Sequence, residues 1–426
     1  MDIYVVRQGD TLYSISTRFG VTMARLIADN GITDPSRLVV GQALVIRRPA
    51  RVYTVRPGDT LSSVARQTGV SVRQLRRNNP ALGGGSSLWP GQTLVLAYED
   101  APDEPLWVNA YAYPFIDKGI LQRTLPFLSY LTPFTYGITQ TGGLVIPDDE
   151  PLIRAAHAAG TAALMHLSTL TPEGGFSNEL AHLVLTDSEV QDALVGNITA
   201  MLAQKEYQGL DVDFEYVFPE DGPAYAAFIA RLRRTLSSMG LPVVVALAPK
   251  TSSQQRGLLY EAHDYAALGA AADWVFLMTY EWGYTYSEPM AVAPLPNVRA
   301  VVEYALTELP AEKIWLGIPN YGYDWPLPTE PGVTRATSIS NQYAVELARR
   351  YGVAIQYDET AQTPWFRYRD ENGGEHEVWF EDARSIRAKL ELIREYGLSG
   401  AGYWNLDRPF PQNWTVLNGE YVVRDG

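Results

Sequence analysis

Three acidic residues stand two apart in the stretch Gly209-Leu210-Asp211-Val212-Asp213-Phe214-Glu215-Tyr216. Apolar and acidic side chains alternate with the period of a β-strand, so Leu210, Val212 and Phe214 face one side while Asp211, Asp213 and Glu215 face the other. Stacking three carboxylates on one strand face costs free energy through repulsion and desolvation. The same crowding raises a carboxyl pKa, which suits a hydrolase that must keep one acid protonated near neutrality. A solvated acidic edge strand is the alternative. The stretch lies mid-chain among apolar strands, however, and sheet edges are commonly guarded by lysine or mixed charge. The spacing points to general acid catalysis with supporting carboxylates.

Elements that could position these acids follow from the pattern around them. The chain has 426 residues, 46% of them hydrophobic, enough to bury more than one core. Apolar strands are expected at Trp107–Ala112, Phe127–Pro133, Ala162–Leu167, Gly209–Glu215, Val243–Ala248, Trp274–Tyr280, Ile314–Pro319 and Gly400–Trp404. Amphipathic helical segments such as Asp187–Gln204 and Pro223–Ser238 separate them. Eight strands alternating with helices predict a (β/α)8 TIM barrel over residues 106–426. Between strands seven and eight, about residues 323–381, the segments Trp365–Tyr368 and His376–Phe380 flank Asn372-Gly373-Gly374. That hairpin signal predicts an α+β insertion walling one side of a cleft.

A barrel carries its chemistry at the C-terminal ends of its strands. Polar and aromatic residues collect there: Glu215-Tyr216, Pro249-Lys250, Tyr280-Glu281-Trp282, Asn320-Tyr321 and Tyr403-Trp404-Asn405. Carboxylates set among Tyr and Trp suit a sugar, whose rings stack on aromatic faces while its hydroxyls bond to acids.

The front of the chain is an internal repeat. Val5-Val6-Arg7-Gln8-Gly9-Asp10-Thr11-Leu12 returns as Thr54-Val55-Arg56-Pro57-Gly58-Asp59-Thr60-Leu61, and each unit closes on Gly-Gln and an apolar strand, Gly41–Ile46 and Gly91–Leu96. The reading is βααβ twice, over residues 1–48 and 50–97, with Asp10 and Asp59 as candidate helix caps. The acidic, proline-bearing segment 98–105 reads as a linker.

Both repeats resemble the LysM module, a binder of N-acetylglucosamine glycans such as peptidoglycan and chitin. The resemblance implies glycan contacts at Gly9, Asp10, Thr11, Leu12, Asn30, Gly31 and Ile32, and at Gly58, Asp59, Thr60, Leu61, Asn79 and Pro80. Caps alone would also account for Asp10, Thr11 and Asp59.

From Trp107 onward the chain resembles family 18 glycoside hydrolases, whose fourth-strand motif reads Asp-Gly-x-Asp-x-Asp-x-Glu. Here it is Gln208-Gly209-Leu210-Asp211-Val212-Asp213-Phe214-Glu215, with Gln208 in place of the first acid. The runs Met278–Tyr286, Trp379–Arg384 and Pro409–Trp414 resemble spore-cortex-lytic N-acetylglucosaminidases of the SleL type, which also carry two LysM modules. The resemblance implies Glu215 as general acid, Asp213 and Asp211 as a coupled pair around the substrate's acetamido group, and Tyr280 as a donor to its oxygen. Trp404 would floor that subsite, and Glu281, Trp282, Tyr321, Asp324 and Tyr111 would be further substrate contacts. Barrel-mouth packing for Tyr280 and a surface ion pair for Glu281 stay open. The expected activity is a retaining β-N-acetylglucosaminidase on cortex peptidoglycan, with chitinase and non-catalytic glycan binder as alternatives.

Composition narrows the partners. There is no cysteine, so disulfides and thiolate sites are excluded. The five histidines show no ligand spacing, so no metal or other cofactor is expected. No apolar run approaches a bilayer span, and Met1–Val6 lacks the basic start and apolar core of a signal peptide, so no membrane insertion is expected; with that, the resemblance implies a spore or cell-wall location. Residues 1–97 carry 12 Arg and 5 Asp, a net of +7 on a chain whose total is −14. That basic front favours an anionic or polyhydroxylated surface. It lacks the aromatic interleaving of a nucleic-acid binder. A monomer is the default expectation.

Overall fold

The computed structural model describes residues 1–171 and 175–426. Eight parallel strands run in chain order: β1 (Pro105–Ala112), β2 (Tyr130–Pro133), β3 (Ala162–Ala163 and Met165–Ser168), β4 (Leu210–Asp213), β5 (Val243–Leu247), β6 (Trp274–Leu277), β7 (Ile314–Pro319) and β8 (Gly400–Trp404). Each pairs with the next, and β8 returns to β1 from Gly400↔Trp107 to Tyr403↔Ala110. The two parts of β3 bridge β2 and β4, closing a (β/α)8 barrel.

The alternation in β4 is resolved by two different layers. Leu210, Val212 and Phe214 join the core between barrel and helices. Helix α1 (Gly222–Ser237) buries Tyr225, Phe228, Ile229, Leu232 and Leu236, a stripe at helical spacing. Phe214 stacks on Tyr225 and Phe228 at centroid distances of 5.5 and 5.9 Å. Asp211 and Asp213 turn inward. Beneath them the lumen is filled by Tyr111, Tyr130, Leu164, Val244, Phe276 and Trp315.

After β7 the chain makes a five-stranded antiparallel sheet from Gly322–Leu327, Thr337–Ile339, Gln356–Asp358, Thr363–Arg369 and Glu375–Trp379, covered by helix α2 (Asn341–Tyr351). Its hairpin turns at Gly373, φ 84°, with Asp370 accepting from the Asn372 and Gly374 amides at 2.8 Å each. This is the expected α+β insertion.

Both N-terminal repeats are βααβ units, with Asp2–Val5 pairing Ala43–Ile46 and Pro49–Thr54 pairing Thr93–Tyr98. The helix caps meet the expectation at Thr11 but not at Asp10 and Asp59. Thr11 and Thr60 cap, each in a capping box with Ser14 or Ser63. Asp10 and Asp59 instead accept the Arg7 and Arg56 amides at 2.8 Å and the Tyr4 and Tyr53 hydroxyls at 2.6 and 2.7 Å. They tie the first turn to the strand before it.

The repeats sit on the barrel rather than trailing from it. Ala43 and Val45 belong to the barrel's own core cluster. From helix α3 (Pro411–Glu420), which follows β8, Gln412 donates to Asn30 Oδ1 and Ala43 O, and Thr415 to Asp29 O. Some of the basic residues are used internally: Arg47 binds Asp100 with 2% of its surface exposed, while Arg73 and Arg77 both donate to Pro126 O. Among the described residues no helix is long and apolar enough to cross a membrane.

Candidate active site

The C-terminal mouth of the barrel opens into a cleft of about 1400 Å³. Asp213, Glu215, Tyr280, Glu281, Trp282, Tyr321 and Trp404 line it, drawn from β4, β6, β7 and β8 and the segments just after them. Glu215 lies two residues beyond the end of β4, on the rim. Burial pushes its carboxyl up to about 8, with added repulsion from Asp213 and Glu281. Near neutral pH it therefore holds a proton that it can give away.

Asp211 lies deeper, fully buried, and accepts the Tyr111 hydroxyl at 2.7 Å. Burial raises it to about 6, against the lowering effects of His166 and the Tyr111 hydrogen bond. Tyr111 is thus beneath the cleft floor, acting on Asp211 rather than lining the opening. Burial and the surrounding acids hold the Tyr280 hydroxyl well above its ordinary range, so it stays a donor.

Glu281 takes a left-handed backbone conformation at φ 66°, which costs a non-glycine residue roughly 1 kcal/mol. Its carboxylate accepts from the Tyr321 hydroxyl and from Tyr323 Oη at 3.1 Å, holding the strained turn open to the cleft. Burial raises its pKa. Trp404 stands edge-on to Phe134 at 5.0 Å and tilted against Tyr111 at 5.6 Å, which fixes its ring at the base of the opening.

Asp324 lies elsewhere. It sits in the insertion sheet, accepting from Tyr368 Oη at 2.7 Å and facing His376 Nδ1 at 2.8 Å. In the second loops of the repeats Asn30 and Asn79 are internal, while Gly31, Ile32 and Pro80 are half-buried. Asn30 and Asn79 are buried pins: each donates to two carbonyls and accepts one strand amide, from Val45 or Val95. Gly31 faces Gln342 and Pro411. The first loops, with Gly9, Thr11, Gly58 and Thr60, face outward.

Two histidines work close to the acids, although the sequence gives no sign of it. His263 accepts the Ala248 amide at 2.9 Å on Nδ1, so its Nε2 donates to Phe214 O at 3.0 Å and holds the end of β4 beside β5. Burial lowers its pKa to about 4, so it stays neutral. His166 lies 3.6 Å from Asp213. Gln208 accepts the Ala163 amide at 2.7 Å and meets His157 at 3.0 Å, linking β3 and β4 at the end away from the cleft. Lys250, at the end of β5, is buried and donates to His263 O.

Residues 145–408 match the family described as glycosyl hydrolases family 18, and residues 4–47 and 53–97 each match the LysM domain. The chain is 42% identical over 429 residues to a cortical fragment-lytic enzyme of Bacillus subtilis, covering 99% of both. Its fold is similar to the crystal structure of the Bacillus megaterium spore cortex-lytic enzyme SleL, with TM-score 0.84 and 39% identity over 100% of this chain and 99% of that one. A chitinase of Chromobacterium violaceum is similar over 74% of this chain and 98% of its own, with TM-score 0.68 and 28% identity. With an acid held protonated above paired carboxylates in an aromatic cleft, and with these matches over barrel and repeats, the chain belongs to family 18 of the glycosyl hydrolases and carries two LysM domains before its catalytic barrel.

Proposed function

We propose that the protein is a retaining β-N-acetylglucosaminidase that hydrolyses spore-cortex peptidoglycan at N-acetylglucosamine linkages, with its LysM modules binding the glycan. The observation that carries the reading is Glu215, whose carboxyl is raised to about 8 on the rim of a cleft otherwise rich in carboxylates and aromatic rings. The similarity to a cortical fragment-lytic enzyme over nearly the full length of both chains supports cortex as the substrate and the cell wall or cortex as the place of action.

In the first step Glu215 gives its proton to the glycosidic oxygen, and the substrate's own acetamido oxygen attacks the anomeric carbon as the leaving group departs. Asp213 accepts the acetamido N–H and balances the positive charge of the oxazolinium, with Asp211 beneath it tuning that charge. Tyr280 donates to the acetamido oxygen and aligns it. Trp404 floors the sugar, while Glu281, Trp282 and Tyr321 supply further contacts. Glu215, now ionised, takes a proton from water, which opens the oxazolinium from the face the leaving group left. Two inversions give net retention. A monomer suffices for this chemistry, because every residue named comes from one chain.

Mass spectrometry of products from purified cortex fragments and, in parallel, chitin oligomers tests the reading. New reducing ends on N-acetylglucosamine from cortex, with little from chitin, are expected. Turnover of chitin alone would make the protein a chitinase, a reading favoured by the 28% likeness to a chitinase. No product from either would leave a glycan binder.

A further inference from the structure

His166 takes no part in the chemistry above, yet it lies in the barrel lumen with 1% of its surface exposed, in register with Asp211 on the next strand. A buried imidazole costs desolvation unless its nitrogens find partners. Its Nδ1 is 2.6 Å from Thr135 Oγ1, and its Nε2 is 3.6 Å from Asp213 Oδ2. Phe134 covers the ring at a centroid distance of 4.8 Å and Tyr111 meets it edge-on at 5.6 Å, so the ring is held in one orientation.

Counting protons fixes its direction. The Thr135 hydroxyl has one proton and three acceptors within reach: Tyr136 O at 3.2 Å, Ser168 Oγ at 3.0 Å and, nearest, His166 Nδ1 at 2.6 Å. A neutral imidazole carries one N–H, so with Nδ1 accepting the Thr135 proton the ring's own proton is on Nε2. Nε2–H then faces Asp213. The opposite tautomer would set a bare lone pair against a carboxylate in a dry lumen, which is repulsive.

We propose that His166 is a positioning residue for hydrolysis: locked by Thr135 through Nδ1, it presents Nε2–H to Asp213 and holds that carboxylate oriented for the acetamido group. The role rests on the reading of Asp213 given above. The titratable groups around the ring are Asp213 and Asp211 on β4 and Tyr111 on β1, with Tyr280 beyond the acids at the end of β6. At 3.6 Å the contact is longer than a hydrogen bond, so it acts on Asp213 through the dipole of the N–H. Losing it weighs on turnover more than on substrate affinity.

The test compares wild type, His166→Gln, Thr135→Val and Glu215→Gln on soluble cortex fragments, with kcat and KM taken separately across pH. His166→Gln is expected to lower kcat by roughly ten-fold or more, to leave KM within about two-fold, and to displace the acidic limb of the profile. Thr135→Val should displace the same limb by less. Nitrogen-15 spectra of histidine-labelled protein give a readout independent of turnover, since the His166 Nε2 resonance should move on Asp213→Asn. A folded His166→Gln with parental kcat and acidic limb overturns the proposal. So does an Nε2 resonance indifferent to Asp213→Asn. If His166→Gln does not fold, Thr135→Val and the resonance decide. Activity retained by Glu215→Gln would overturn the reading of the cleft itself, a distinct failure.

Discussion

Glu215 couples catalysis to stability. The folded chain binds its proton more tightly than the unfolded chain, so the related stability is intact below the ordinary value of 4.5 and is lost as pH rises towards about 8. Glu215→Gln should therefore be more stable at pH 7, by on the order of 1–3 kcal/mol after allowance for partial exposure. It should also lose activity by about 10²-fold or more. Calorimetry and a rate assay on one preparation check both; unchanged stability would mean that Glu215 ionises normally. In the wild type kcat/KM should rise through about 6 as Asp211 ionises and fall near 8 as Glu215 does. The three acids were legible in the sequence because a two-residue period shows on one strand. His166 and His263 were not, because their partners lie 47 and 49 residues away in the chain and meet them only in the closed barrel.

At the scale of elements, the strands had to leave room for lumen aromatics. A Cβ on Gly402 would meet the Phe276 ring at 2.4 Å, and one on Gly400 the Trp315 ring at 2.4 Å. Gly402→Ala on β8 should destabilise by roughly 1–3 kcal/mol in denaturant titration; a neutral result would mean that Phe276 repacks freely. Asn79→Ala should remove about 2–3 kcal/mol from the second repeat, since three hydrogen bonds between helix and strand depend on that one side chain. Hydrogen exchange along Thr93–Tyr98 would register the loss. The strands, hairpin and repeats were legible from periodicity and Asn-Gly chemistry. The choice between Asp and Thr as cap was not, because both favour that position, and only the fold commits Asp10 to Tyr4 and Asp59 to Tyr53.

The whole molecule departs furthest from its sequence in the relation of front to body. The net of +7 over residues 1–97 suggests a surface waiting for an external anion. Five of the twelve arginines instead brace the protein: Arg25 on Asp29, Arg47 on Asp100, Arg48 on Asp2, and Arg73 and Arg77 on barrel carbonyls. Adsorption to insoluble glycan, measured at low and high salt, should accordingly weaken less than twelve free arginines would make it. Removing residues 1–97 should cost the barrel thermal stability, because Ala43 and Val45 complete its core. A truncated barrel melting at the parental temperature would show that the seat is dispensable.

That seat also bears on how such a chain can change over generations. A binding module on a loose tether can be exchanged by gene fusion without refitting its host. Here a Cβ on Gly41 would lie 1.8 Å from Ile355 O, and one on Gly31 would lie 2.6 Å from Pro411 Cγ. A foreign module bearing side chains at those two points would be shut out, so shuffling must carry module and barrel together as one heritable piece.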